Sequence, residues 1–170
     1  APLAPYFFAG LYAAFGAGSQ AVLMAQAVLD AGTVALVFAI ALRIFDYRCA
    51  VIAGLLAMLY PLFFYYDALL LKVALTVFLC TAALYLLVAA VSGDRARQWF
   101  AAGFVLGVSA LTRGNYLLFI PVLLAWMPFA IRGPGTAHLR RAVLVLAGVS
   151  LAIFPITLRN YLVGNDLVLV

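Results

Sequence analysis

The chain has 170 residues, 69% of them hydrophobic and 9% charged, with a formal net charge of +5. Ordinary soluble domains carry about 25% charged residues, so the composition excludes a soluble enzyme or nucleic-acid-binding module and indicates an integral membrane protein. Glutamate is absent, and the five acids are Asp30, Asp46, Asp67, Asp94 and Asp166.

A helix that crosses a bilayer needs about 20 apolar residues at about 1.5 Å each. Residues about 5–18 are too few and rich in aromatics, which predicts a helix lying at the membrane surface. The first full span is expected over about 21–42. A second, about 49–64, carries Pro61, which breaks or kinks it. The third is expected over about 69–91. Residues 99–131 hold Arg113 near their middle, so a single helix would bury an arginine in lipid. Two shorter helices, about 98–112 and 116–131, place Arg113 at an edge instead. Gly103 and Gly107 form G-x-x-x-G on the first of these, a pattern that allows close helix approach. The one sizeable loop is read from Arg132 to Arg140, with His138 as a solvated loop residue. The last span is about 142–158, interrupted by Pro155. The expected fold class is therefore all-α, with six spans and one interfacial helix.

Seven of the ten basic residues fall in three clusters: Arg43 and Arg48, Arg95 and Arg97, and Arg132, Arg140 and Arg141. Basic loops stay in the cytoplasm, so the clusters orient the chain and account for its charge through topology and anionic lipid rather than nucleic acid. Tyr60, Tyr65, Tyr66, Tyr116 and Tyr161 then fall at outer edges, with Tyr47 and Trp99 at inner ones. Cys49 and Cys80 show no motif spacing and read as small apolar packing residues. The start at Ala1, without Met or a basic leader, and the end inside an apolar run read as a piece of a longer protein.

Polar groups inside or beside the membrane carry the functional signal. Gln26, Asp30 and Thr33 share one face of the first span, either as the polar wall of a substrate cavity or as an interhelical hydrogen-bond patch. At the outer side, Asp67 and Lys72 stand at the turn into the third span, Arg113 and Asn115 at the hairpin tip, and Arg159 and Asn160 at the last exit. Three helix ends thus deliver three cations to one face, as a site for a lipid phosphate requires. The competing reading is that each cation only anchors its own helix by snorkelling.

These segments together resemble the middle of a GT-C-fold, polyprenyl-phosphate-sugar-dependent glycosyltransferase. That superfamily includes the protein O-mannosyltransferases and the lipid A aminoarabinose transferase. Ala1-Pro2-Leu3-Ala4-Pro5-Tyr6-Phe7 is similar to the end of its large first outer loop. Gln26, Arg43-Ile44-Phe45, and Tyr60-Pro61 through Leu70-Leu71-Lys72 follow in the family's order. Gly103-Phe104-Val105-Leu106-Gly107 with Leu111-Thr112-Arg113 resembles its G-x-x-L-G…L-x-R segment. Pro155 with Leu158-Arg159-Asn160-Tyr161 resembles its P-x-x-x-R-N exit.

The resemblance implies transfer of a sugar from a polyprenyl phosphate to a lipid, glycan or protein acceptor, on the outer face of a bacterial inner membrane. It implies a base in the first outer loop, expected upstream of Ala1. Lys72 aligns where a second acid often stands, with Asp67 five residues earlier as the low-ranked catalytic candidate. Lys72, Arg113 and Arg159 are then the donor-phosphate ligands, and Asn115, Asn160, Gln26 and Asp30 supporting groups. Some relatives use a divalent ion, but no carboxylate cluster here suggests one, so no cofactor is assigned. A flippase of lipid-linked sugars and a non-catalytic assembly subunit are the rival readings.

Overall fold

The structure is a computed structural model that describes residues 3–16, 19–60 and 72–164. Among these residues it contains helices and no strand: α1 (Leu3–Phe15), α2 (Ser19–Ile44), α3 (Tyr47–Met58), α4 (Val73–Gly93), α5 (Ala96–Ala110), a 3₁₀ turn (Gly114–Leu118), α6 (Phe119–Ala130) and α7 (Gly135–Gly164). The all-helical membrane class is as the composition predicts. Among the described residues three helices, α2, α4 and α7, are long and apolar enough to cross a membrane, while α1, α3 and the segment Gly114–Ala130 are shorter apolar helices.

Local chemistry sets the helix ends. Asp46 caps α3, its carboxylate accepting the Cys49 amide at 2.8 Å. At the other end of α3, the Leu59 amide bonds back to Leu55 at 3.0 Å. Tyr60 then precedes Pro61, a placement that disfavours helix. The rest of the expected 49–64 segment, and the outer turn containing Asp67, lie outside the described residues. α4 closes on Asp94, which adopts a left-handed conformation at φ 41°. The helix that could have run through 99–131 breaks at 111–113, where Arg113 is extended (φ −148°, ψ 118°).

Two expectations about the last helix are overturned. The loop read from Arg132 to Arg140 ends at Pro134, whose carbonyl accepts the amides of Ala137 at 2.9 Å and His138 at 3.3 Å and so starts a helix. The interruption at Pro155 is also absent: α7 continues through it for 30 residues in all. A proline inside a helix removes one backbone donor, and neighbouring helices make that loss tolerable in membrane bundles.

Glycines hold the bundle together. A Cβ on Gly103 would collide with the Val145 backbone, and one on Gly148 with the backbone of Phe100 and Phe104. A Cβ on Gly107 would lie 2.7 Å from Ala152 Cβ and 2.9 Å from the Val149 carbonyl. The contacts advance together along both chains, so α5 and α7 run parallel, backbone against backbone. Around this seam pack Trp99, Leu106, Leu87, Leu123, Met127 and Val149. On the other side of α4, Gly32 of α2 meets the Phe78 ring and Arg43 reaches Tyr85, so α2 and α4 are parallel as well. The parallel pairs sort the chain into two ends. The basic end gathers the last turns of α2 and α4 and the first turns of α3, α5 and α7. The opposite end gathers the start of α4 and the far ends of α5 and α7.

Candidate functional site

Lys72, Arg113 and Arg159 all lie at the end opposite the basic loops, each brought there by a different helix. Lys72 is the N-cap residue of α4 and makes no side-chain capping bond. Its carbonyl accepts both the Thr76 amide (3.1 Å) and the Thr76 hydroxyl (2.7 Å), which fixes the backbone under a half-buried side chain. A helix N-terminus already carries about half a positive charge. Lys72 adds to that charge instead of offsetting it, and the combination attracts an anion.

Arg113 is projected by the break after α5. Leu111 and Thr112 are buried, and the Thr112 hydroxyl donates to the Ser109 carbonyl at 2.6 Å. The chain then turns extended, leaving Arg113, Gly114 and Asn115 exposed. The 3₁₀ turn packs against α5 and α6, with Tyr116 set against Cys80 of α4 and close to Arg113.

Arg159 lies on an exposed face of α7, its guanidinium 5.8 Å from the centre of the Tyr6 ring. Tyr6 belongs to α1, whose Leu3 amide donates to the Leu111 carbonyl at 3.1 Å. α1 therefore links the end of α5, beside Arg113, to Arg159 on α7. Asn160 is half-buried next to it. Asp67, the acidic partner expected here, lies outside the described residues.

Gln26, Asp30 and Thr33 lie inside the bundle. Together with Val22 they form a buried stripe on α2, with relative exposures of 1%, 8% and 1% for the three polar residues. The Thr33 hydroxyl donates to the Leu29 carbonyl at 2.9 Å. The cavity beside α2 is lined by Gln20, Met24 and Val28 on another face of the helix. No three of His, Cys, Asp and Glu converge to hold a metal among the described residues.

The basic end holds what the sequence reading missed. Arg141, counted there among loop charges, is buried and paired bidentately with Asp94, Nε to Oδ1 and Nη2 to Oδ2, both at 2.8 Å. The Trp99 indole N–H donates to the same carboxylate at 3.0 Å. Hydrogen bonds from Arg141 and then Trp99 hold the Asp94 carboxyl at about 2, below its ordinary 3.8. His138, read as a solvated loop residue, is half-buried, with Nε2 3.1 Å from the Gly133 carbonyl and Nδ1 3.4 Å from Arg141. The one available signal was Asp94 itself, a lone acid in a basic segment, for which a charged partner is expected.

The family model for dolichyl-phosphate-mannose-protein mannosyltransferase matches residues 1–158 of this chain. No curated protein and no solved structure matches it.

Proposed function

The chain belongs to the dolichyl-phosphate-mannose-protein mannosyltransferase family of GT-C-type membrane glycosyltransferases, and from that premise we propose that it transfers a sugar from a polyprenyl-phosphate carrier to a cell-envelope acceptor. In this reading six crossings leave the basic end in the cytoplasm and the opposite end on the outer side of a bacterial inner membrane. The observation that carries it is the convergence of Arg113 and Arg159, through α1, on the end where Lys72 opens α4.

Breaking a sugar–phosphate bond builds negative charge on the departing lipid phosphate. Fixed cations in a poorly hydrated site stabilise that charge most. Lys72, backed by the α4 N-terminus, and Arg113, on the turn after α5, neutralise the phosphate. Arg159 supports it from α7, with Asn115 and Asn160 as neutral donors at the rim. The isoprenoid tail lies in the bilayer beside the helices, so the headgroup meets the cations at the membrane edge. Asp67 orients the acceptor or one of the cations. The base that activates the acceptor is the first-outer-loop acid that the resemblance implies. Gln26 and Asp30 support the site from within the bundle, as a buried polar stripe on α2.

The test is an assay of the protein in sealed vesicles with labelled polyprenyl-phosphate sugar. Labelled acceptor formed in proportion to protein supports the reading. Movement of intact lipid between leaflets, with no labelled acceptor for any donor sugar, would replace it with transport.

A further inference from the structure

A second lipid-facing feature lies at the basic end, away from the three outer cations. An apolar cavity of about 500 Å³ opens between α4 and α6, lined by Leu87, Val88, Leu123 and both tryptophans of the chain, Trp99 and Trp126, with Arg43 at its mouth. Along α4 its lining runs from Leu84 to Ser92. That is about 12 Å of helix, close to the depth of one leaflet of a hydrocarbon core about 30 Å thick.

The mouth of the cavity is electrostatically one-sided. Seven arginines belong to this end, against Asp46 and Asp94. Both carboxylates are engaged, Asp46 with the Cys49 amide and Asp94 with Arg141 and Trp99. Arg43 is exposed and oriented: its guanidinium stacks 4.9 Å from the Tyr85 ring centre, and Nη2 donates to the Tyr85 hydroxyl at 3.0 Å. A guanidinium carries five N–H donors, so this contact aims Arg43 and leaves it donors for a phosphate.

We propose that this cavity is a specific site for one anionic phospholipid from the leaflet at the basic end, an acyl chain filling the groove and Arg43 binding the headgroup phosphate. An apolar slot one leaflet deep, topped by an oriented cation in a field of excess positive charge, fits that class of amphiphile. The proposal is independent of the transfer reaction at the other end.

The tryptophans supply the readout. The protein is reconstituted in phosphatidylcholine vesicles, and quenching of tryptophan fluorescence is titrated with phosphatidylglycerol or phosphatidylcholine brominated on the acyl chains. Subtracting the Trp126→Phe signal isolates Trp126. Half-maximal quenching of Trp126 is expected at a mole fraction of the anionic lipid about fivefold lower than of the zwitterionic one, the selectivity of one basic side chain for anionic lipid. Arg43→Gln should erase that preference and Arg43→Lys should keep most of it. If Arg43→Gln does not insert, Val88→Phe serves, since it fills the groove without touching charge and should weaken quenching by the anionic lipid. Equal quenching by the two lipids, a preference that survives Arg43→Gln, or no quenching of Trp126 would each overturn the proposal. Displacement of the anionic lipid by polyprenyl phosphate at lower concentration would also overturn it, by giving the groove to the sugar carrier.

Discussion

The two ends of this bundle use charge in opposite ways. At the basic end one partly buried charge pair holds helices together. Arg141 is buried against Asp94, and Trp99 donates to the same carboxylate. At the opposite end Arg113 and Arg159 are exposed, and their positions are fixed by backbone bonds and an aromatic ring rather than by acids among the described residues. A paired cation gives geometry and little field, whereas a cation held by neutral groups keeps its field available to a ligand. The difference separates a structural clamp from a candidate phosphate site.

Several perturbations break or sharpen this contrast, and the largest acts on both ends at once. The parallel α5–α7 seam leads into Arg113 at the end of one helix and carries Arg141 and Arg159 on the other. Gly148→Val forces the two backbones apart and is expected to cost more than about 4 kcal/mol. The measurement is recovery of monodisperse protein from detergent. Normal recovery would show that the seam does not hold the ends in register.

The next separates the ends. Asp94→Asn should lower stability by about 1.5 kcal/mol, a modest value because the Asp94 side chain is 53% exposed although Arg141 is buried. Thermal unfolding measures that loss, while the transfer rate below the unfolding temperature stays unchanged. A matching loss of transfer would mean the clamp acts on the site.

The same carboxylate predicts a pH dependence. Its folded pKa of about 2 lies below the ordinary 3.8, so its stabilisation is complete above about 4 and is lost as pH falls toward 2. The difference in unfolding midpoint between the protein and Asp94→Asn should therefore be constant from pH 7 to about 4 and shrink below that. A difference that instead fades between pH 7 and 5 would assign the stabilisation to another group. The smallest expected effect is at the far end: Tyr6→Leu removes an exposed cation–π contact worth about 0.5–1 kcal/mol. It should raise the KM for donor about threefold with kcat unchanged, and an unaltered KM would detach Arg159 from the donor.

Much of this was legible in one dimension, for identifiable reasons. Arg113 could not sit in the middle of a 33-residue apolar run, so the break at 111–113 followed from the cost of burying a charge. Gly103 and Gly107 announced a close helix contact, but their partner Gly148 is distant in sequence and carried no pattern of its own. In sequence Arg141 groups with Arg140 and Arg132, because the chain order shows a charge only its linear neighbours, whereas its partner in space, Asp94, is 47 residues away. The Gly133-Pro134-Gly135 stretch suggested a loop through Arg140. In fact it only initiates α7, because the Pro134 carbonyl provides the first acceptor. Lys72, Arg113 and Arg159 were found as candidates from their positions at helix ends. The link between the end of α5 and Arg159 runs through α1, whose contacts with Leu111 and Arg159 no spacing could reveal.

The central claim is that charge at the end opposite the basic loops binds the donor phosphate. Its most direct test compares Arg113→Ala and Arg113→Lys with the parent protein, measuring kcat/KM for transfer from a polyprenyl-phosphate sugar beside the thermal unfolding midpoint. The account predicts a loss of about 100-fold or more for Arg113→Ala, substantial recovery with Arg113→Lys, and an unfolding midpoint unchanged in both, because Arg113 is exposed. Undiminished transfer by Arg113→Ala would contradict it and return Arg113 to the role of a membrane-edge anchor.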